Sequence, residues 1–386
     1  GDLSCPIHAK TAPRARSGCP GARRGVPPTP AGRPDMSDIH IRKLGRAGRI
    51  TLNRPKALNA LSYQMCLAIE AALDDWRDAP GVALIVIDAA GERAFCAGGD
   101  IQELYDTARA GDFAYGRRFW ADEYRMNAKL ADYPMPVVAL MQGFTMGGGV
   151  GVGCHASHRV VCESSQVAMP EVGIGLVPDV GGSLILGRAP GHLGEYLGTT
   201  AARMGPGDAI LAGFADHYIA QEHWLDLVAM LEETGDAEAV THLAAPPPAS
   251  PLAALRPEID ALFSGSRAEI VAALTHDDSP FAGATLKAIR RNSPLSVACA
   301  IELIRLSRAA GDIRAALGLE YRFTYRSANL GDFIEGIRAA IVDKDRNPHW
   351  QHARLEDVTD ADVGRMLAEL GDTALRLEAH QMGEST

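Results

Sequence analysis

Little in this chain points to a membrane, a disulfide framework or a nucleotide loop. No apolar run reaches the ~20 residues that a bilayer-spanning helix needs. The seven cysteines, at 5, 19, 66, 96, 154, 162 and 299, are odd in number and scattered, without a C-x-x-C pair. That spacing fits reduced thiols in a cytoplasmic protein better than a disulfide scaffold or a zinc site. There is no G-x-x-x-x-G-K-[ST], so a P-loop is excluded, and no G-x-S-x-G, so the hydrolase nucleophile elbow is absent. No G-x-G-x-x-G is followed by the acidic residue that a dinucleotide site requires. His155 and His158 lack further ligands at metal spacing, and no metal or redox cofactor is implied. A net charge of −10 argues against nucleic acid or an anionic membrane surface as partner. No repeat of fixed period is present.

What remains is a globular composition, 47% hydrophobic and 22% charged over 386 residues. That length suits one large domain or two ordinary ones. Residues 1–36 hold Pro13, Pro20, Pro27, Pro28, Pro30 and Pro34 with several arginines and almost no large apolar side chains. Such a stretch cannot repay the entropy of ordering and reads as a disordered extension. Its arginine-rich, acid-poor character also raises a transit peptide, hence a mitochondrial alternative to the cytoplasm.

From residue 37 the pattern becomes regular. Ile39–Ile41 and Arg49–Leu52 read as a hairpin. Ser62 can cap a helix whose apolar face is Leu58, Leu61, Met65, Ile69, Leu73 and Trp76. The continuous apolar runs 82–87, 137–140 and 159–162 read as strands buried on both faces, with helical stretches between them. Residues 101–132 read as helical, broken near Gly111. Strand and helix in that rhythm predict an α/β fold. The organisation expected is a core with the active site over 37–243, a Pro-rich linker at 244–251, and a helical region over 252–386. In the last, Ser293-Pro294 and Asp312 mark helix starts.

Three glycine-rich segments each follow a buried strand and feed a helical stretch. They are Ala94-Phe-Cys-Ala-Gly-Gly-Asp-Ile101, Gln142-Gly-Phe-Thr-Met-Gly-Gly-Gly149, and Ala168-Met-Pro-Glu171 with its continuation to Gly182. Glycines at strand ends let backbone approach a ligand and leave N–H groups uncovered. The third segment sets two carboxylates, Glu171 and Asp179, among glycines and apolar residues. Donors for a developing oxyanion beside acids that can act on a substrate read as an active site. Simpler readings stand beside this one. Glu171 could be a helix-start acid, Asp179 and Asp100 could cap the helices that follow them, and Glu123 could lie on a solvated helix face.

Together with Asn53-Arg-Pro-Lys-Ala-Leu-Asn-Ala-Leu61, these segments resemble the crotonase (enoyl-CoA hydratase/isomerase) superfamily over about residues 38–350. The resemblance implies a spiral of ββα turns with helices packed at the C-terminal end, a coenzyme A thioester as ligand, and no separate cofactor. It implies an oxyanion hole from two backbone N–H groups, by position those of Ala97 and Gly148. Gly98, Gly99 and Asp100 would lie at the substrate, and Arg54 and Lys56 could meet the coenzyme A phosphates. Members are often trimers or hexamers, so a homo-oligomer is one expectation; extended C-terminal helices covering the same face within one chain is the other.

In hydratases of that superfamily two glutamates flank the water. One is the Glu of Pro-Glu, here Glu171; the other lies three residues past the second oxyanion glycine, where this chain has Gly151. Adding water across a double bond needs one group to take a proton and another to deliver one. The pairs Glu123-Tyr124 and Pro178-Asp179, with Glu320-Tyr-Arg322 and Pro348-His-Trp350, resemble instead the branch that hydrolyses 3-hydroxyisobutyryl-CoA in valine breakdown. That implies thioester hydrolysis with Glu171 as base or nucleophile, Asp179 orienting water or the β-hydroxyl, and Glu123 contacting that hydroxyl. The alternatives are a hydratase or isomerase of the same fold, and a non-catalytic acyl-CoA-binding protein. Tyr105, Phe113, Phe119 and Trp120 are candidates to line the acyl pocket.

Overall fold

A computed structural model of the chain describes residues 38–378, all within one unit spanning Met36–Thr386. The extension expected over 1–36 lies outside the described residues. Among the described residues, nine strands form two sheets. The larger, in the order β1-β2-β3-β5-β7-β9, comprises Ile39–Leu44, Ala47–Leu52, Leu84–Ala89, Val137–Met141, His158–Val161 and His217–Tyr218. Only its β1–β2 hairpin is antiparallel. The smaller sheet, β4-β6-β8, consists of Ala94–Cys96, Phe144–Met146 and Gln166–Ala168, all parallel.

From β3 onward consecutive strands alternate between the two sheets, so the chain winds as a spiral. Each turn lays one strand in the large sheet, one in the small sheet, and then returns through helix. The apolar runs of the large sheet are continuous because both faces are covered. Ile85, Ile87, Ala139 and Met141 face the main core, whereas Leu84, Val86, Val138 and Leu140 face a second cluster. Trp224, Leu227 and Leu231 of a helix at Trp224–Thr234 complete that second cluster.

The helices that matter for the site are best taken in chain order. Helix α1, Tyr63–Trp76, is capped by Ser62, which accepts from Met65 N at 3.2 Å. Leu58 and Leu61 fall before it rather than on its face. A break at Gly111 separates α2, Gln102–Arg109, from α3, Phe113–Ala131. Then come α4, Gly148–Gly153, α5, Gly182–Arg188, and α6, Leu193–Thr200. After two of the short helices (α7, Pro206–Leu211, and α9, Glu238–Leu243, with α8 the Trp224–Thr234 helix between them) the chain crosses residues 244–251. There Ala245 bridges to Tyr218, and Ser250 caps α10, Pro251–Phe263.

The remaining helices are α11, Arg267–His276, α12, Pro280–Arg291, α13, Pro294–Ala310, α14, Ile313–Leu330, α15, Phe333–Ile337, and α16, Asp360–Leu367. Ser293 and Asp312 cap α13 and α14. Helix α13 packs on α5 and α6, and α14 packs on α3. Among the described residues no helix is long and apolar enough to cross a membrane.

Among the ion pairs that tie this C-terminal layer to the core is one with a buried acid. Glu195 of α6 is fully buried and accepts two hydrogen bonds of 2.8 Å from Arg308 of α13. Removing one partner of a buried pair leaves an uncompensated charge, which costs about 3–5 kcal/mol. Arg308→Met is therefore expected to lower unfolding free energy by about 3 kcal/mol in a urea titration, because Arg305 and His192 also approach Glu195 and soften the loss.

Candidate active site

The three strands of the small sheet are parallel and adjacent, so their C-terminal ends lie side by side. Residues 97–100 follow β4, Gly147 and Gly148 follow β6, and Pro170-Glu171 follow β8. Each glycine segment thus emerges directly from a three-residue strand of the small sheet, one step later in the chain than the long apolar runs suggest.

The first segment is held from outside. Asn59 is buried and left-handed at φ 54°, and its amide donates to Ala90 O and Ala94 O at 2.9 and 2.8 Å. This fixes the turn that presents Leu58 and Leu61 to the segment. Ala97 N donates to Leu58 O at 3.0 Å, Leu61 N to Gly98 O at 2.9 Å, and Asp100 N to Leu61 O at 2.8 Å. The expected oxyanion donor Ala97 is therefore occupied. The N–H of Gly99 is left without an acceptor in this bracket. A methyl on Gly148 would come within 3.2 Å of both Gly99 N and Glu123 Oε1, so the two glycines adjoin.

One oxygen of Asp100 accepts from Gln102 N at the start of α2 at 3.4 Å, the contact expected of a helix-start acid. Its carboxylate pairs with Arg54 at 3.0 Å, and Arg54 also reaches Ala60 O at 2.7 Å and Asp38 at 3.4 Å. Neither residue lines the cavity described below, and Arg54 is spent on these internal contacts. Lys56 is exposed on the neighbouring turn.

The second segment turns at Gly147, whose φ of 51° and ψ of −117° are closed to side-chain-bearing residues. A methyl there would also sit 2.9 Å from Glu171 Oε1. Gly148 then opens α4, where first-turn N–H groups have no partner within the helix. Glu171 begins a short 3₁₀ turn, and neither of its buried carboxylate oxygens has a hydrogen-bond partner among the described residues. A helix-start acid would be satisfied by backbone N–H groups, so that simpler reading fails.

Asp179 is buried and accepts a 2.6 Å hydrogen bond from Tyr124 of α3. It does not cap α5. Glu320 of α14 does so instead, accepting from Gly181 N at 2.9 Å, Ser183 N at 3.1 Å and the Ser183 hydroxyl. Glu123 is only 3% exposed, so it lies inside and not on a solvated face.

Ala97, Gly98, Gly99, Gly147, Gly148, Glu123, Glu171 and Asp179 line one cavity of about 130 Å³. Its apolar wall includes Ile101, Leu104, Phe119, Trp120 and, from the C-terminal region, Phe333. Phe113 borders a neighbouring cleft, and Tyr105 lines neither. Phe333, Tyr124 and Glu320 are the functional neighbours that sequence reasoning left without a role. Only the pairs Glu123-Tyr124 and Glu320-Tyr321 carried any signal for them.

Burial and mutual repulsion shape the electrostatics. Burial first, then the Asp179 charge, holds Glu171 well above the ordinary glutamate value of 4.5, and the same two causes raise Glu123. Burial raises Asp179 against the hydrogen bond from Tyr124. Glu320 is pushed up to about 8 by burial and then by Asp179, against the three donors it accepts from. Burial pushes the thiol of Cys96, within the first segment, up to about 12, which disfavours its thiolate. Two N–H groups that can hold an anionic oxygen, beside a carboxylate of raised basicity, suit chemistry at a carbonyl.

The position three past Gly148 is closed. A methyl on Gly151 would meet Asn127 Nδ2 at 2.7 Å and Val180 Cβ at 2.8 Å. A glutamate there has no room in this backbone.

Residues 47–367 match the family model described as enoyl-CoA hydratase/isomerase. Among curated relatives, 3-hydroxyisobutyryl-CoA hydrolase, mitochondrial, of Gallus gallus is 38% identical over 353 residues, 88% of this chain and 91% of the relative. The protein of that name from Xenopus tropicalis is 39% identical, covering 87% and 90%. Among solved structures, an enoyl-CoA hydratase from Rhodobacter sphaeroides 2.4.1 is 56% identical, with a TM-score of 0.83 over 88% of this chain and 100% of that one. A carnitinyl-CoA dehydratase from Mycobacterium thermoresistibile is 41% identical, with a TM-score of 0.84 over 89% and 99%.

The raised Glu171 predicts a pH signature. A group that must be ionised to act gives a rate that rises with pH through its own pKa. The acid limb of kcat/KM is expected well above pH 4.5, and Asp179→Asn is expected to move it down by removing the like charge. Initial rates across a pH series check both.

Proposed function

The chain belongs to the enoyl-CoA hydratase/isomerase family, and from that premise we propose that it hydrolyses the thioester of a short β-hydroxyacyl-CoA. The substrate favoured is 3-hydroxyisobutyryl-CoA, giving 3-hydroxyisobutyrate and coenzyme A, as in valine catabolism. The observation that carries this reading is the blocked Gly151 beside the unpartnered Glu171. One unpaired acid with carbonyl-oxygen donors is enough for thioester hydrolysis, whereas hydration also needs a group to deliver the second proton.

In this reading the thioester oxygen sits against the N–H groups of Gly148 and Gly99, the latter replacing Ala97. Each such donor contributes about 2.7–4 kcal/mol to holding a tetrahedral intermediate. Ionised Glu171 takes a proton from water, the hydroxide adds to the carbonyl carbon, and the C–S bond breaks. The coenzyme A thiolate receives the proton back. In the other route ionised Glu171 attacks the carbonyl carbon, the C–S bond breaks to release the coenzyme A thiolate, and water cleaves the resulting acyl anhydride, the proton it gives up passing to the thiolate. Glu123 receives the β-hydroxyl and Asp179 orients it or the water. Coenzyme A enters as part of the substrate, and no further cofactor is needed for these steps.

A second reading has a specific observation behind it, because the solved structures at 56% and 41% identity carry hydratase and dehydratase titles. The curated relatives named above are hydrolases. The two readings part at the product. As to compartment, the buried free cysteines support the cytoplasm, and the printed names of the relatives support a mitochondrial location with residues 1–36 as a transit segment. A homo-oligomer remains the family expectation.

A thiol-trapping assay over acyl-CoA thioesters tests the proposal. Free thiol is expected from 3-hydroxyisobutyryl-CoA, and Glu171→Gln should reduce kcat by about 10²–10⁴-fold. Loss of crotonyl-CoA absorbance with no thiol released would favour the hydratase reading. Binding without turnover would favour a non-catalytic protein.

A further inference from the structure

We propose that Val180 is a specificity-determining residue, its isopropyl group setting the size limit of the acyl pocket over Gly151. This inference rests on the thioesterase reading and names what limits its acyl group. Val180 is 1% exposed and has a φ of +52°. A β-branched residue rarely adopts that left-handed conformation, because its branched Cβ crowds the backbone. Strain of this kind persists only where the surroundings over-determine it, and it gathers at functional sites.

Here the over-determination is visible on every side. The Val180 carbonyl accepts from His155 Nε2 at 2.7 Å. A carbonyl only accepts, so this nitrogen of the half-buried imidazole carries the proton, and burial lowers the pKa of His155 to about 4. Before Val180, the Asp179 carboxylate is held by Tyr124 at 2.6 Å. After it, Gly181 N donates to Glu320 at 2.9 Å. Three side chains from separate parts of the chain fix three consecutive residues.

The result of that fixation is where the valine side chain goes. Val180 lines the same cavity as Glu123, Glu171 and Asp179. Its Cβ lies 2.8 Å from the point a Gly151 side chain would occupy, with Asn127 Nδ2 on the other side at 2.7 Å. Glycine at 151 and left-handed valine at 180 are therefore complementary. The space beside the acids is filled from the facing loop by an apolar group that neither donates nor accepts. In a cavity of about 130 Å³, two methyl groups at that wall are a large fraction of what an acyl substituent can use.

The test compares Val180→Gly and Val180→Ala with the unchanged enzyme. Glycine accepts the backbone conformation and clears the space; alanine keeps Cβ and clears part of it. Thiol release is measured from 3-hydroxyisobutyryl-CoA and from a β-hydroxyacyl-CoA with two more carbons on the α-branch. The kcat/KM ratio of the larger to the smaller thioester is expected to rise about tenfold or more in Val180→Gly, with Val180→Ala between, as a one- or two-methylene difference in an apolar pocket allows. A ratio within about twofold of the unchanged enzyme, in either folded variant, overturns the inference. If Val180→Gly does not fold, Val180→Ala decides by the same ratio. No thiol from the unchanged enzyme with any acyl-CoA overturns the thioesterase reading itself, and this inference with it. Turnover with an unmoved ratio overturns this inference alone.

Discussion

Four carboxyl groups are buried in one region, those of Glu123, Glu171 and Asp179 lining the cavity and that of Glu320 at the start of α5, and burial is the first cause acting on each. None of them has an ion-pair partner among the described residues. Burying an isolated charge is so costly that the group normally takes up a proton instead. Burial and then the Asp179 charge push Glu123, Glu171 and Glu320 toward the protonated form, so none of the three titrates independently of Asp179. Glu320 accepts three donors, and Asp179 accepts one from Tyr124. Glu171 and Glu123 accept none, and both face the second glycine segment, Glu171 Oε1 2.9 Å from where a Gly147 methyl would sit and Glu123 Oε1 3.2 Å from where a Gly148 methyl would sit.

The fold delivers this arrangement through a sheet of very short strands. Because β4, β6 and β8 are parallel neighbours, three segments far apart in sequence end at one edge. The C-terminal helices then close what the spiral leaves open. Helix α14 brings Glu320 to the start of α5, and Phe333 of α15 packs at a tilt of 56° against Trp120, ring centroids 5.5 Å apart, both lining the cavity. The core and the C-terminal helical region thus both supply the site, although the Pro-rich stretch 244–251 separates them in the chain. What distinguishes this site from one that adds water to a double bond is steric. The room for a second flanking acid is filled by Val180 and Asn127.

Much of this was legible in the sequence, and the failures have physical causes. Long apolar runs and caps read correctly because burial on both faces and side-chain capping leave a local signature: the strands at 137–141 and 158–161, and the caps Ser62, Ser293 and Asp312. Strands β4 and β6 were hidden inside glycine segments, since three residues are too few to show a period. The sequence could not show that Ala97 is occupied, because which N–H is free depends on Leu58 and Leu61, whose backbone reaches the segment from 37 to 39 residues away, held by Asn59. Asp100 and Arg54 looked like ligand contacts and are partners of one another. For Glu123 the sequence left a substrate contact and a solvated helix face both open, and the fold turns it inward, its Oε1 3.2 Å from where a Gly148 methyl would sit. The strain at Val180 has no sequence signature at all, since a Val-Gly-Gly run gives no sign of which residue turns left-handed.

The measurement that tests the central claim most directly is an infrared titration of protonated carboxyl groups in the folded enzyme. If burial without a cation keeps these acids toward the protonated form, a carboxyl band persists at neutral pH, well above the range of exposed aspartates and glutamates, and loses part of its intensity in Glu171→Gln. If every carboxyl group has ionised at a pH near the ordinary values, with no band left at neutrality and no change in Glu171→Gln, the electrostatic account of the site is wrong.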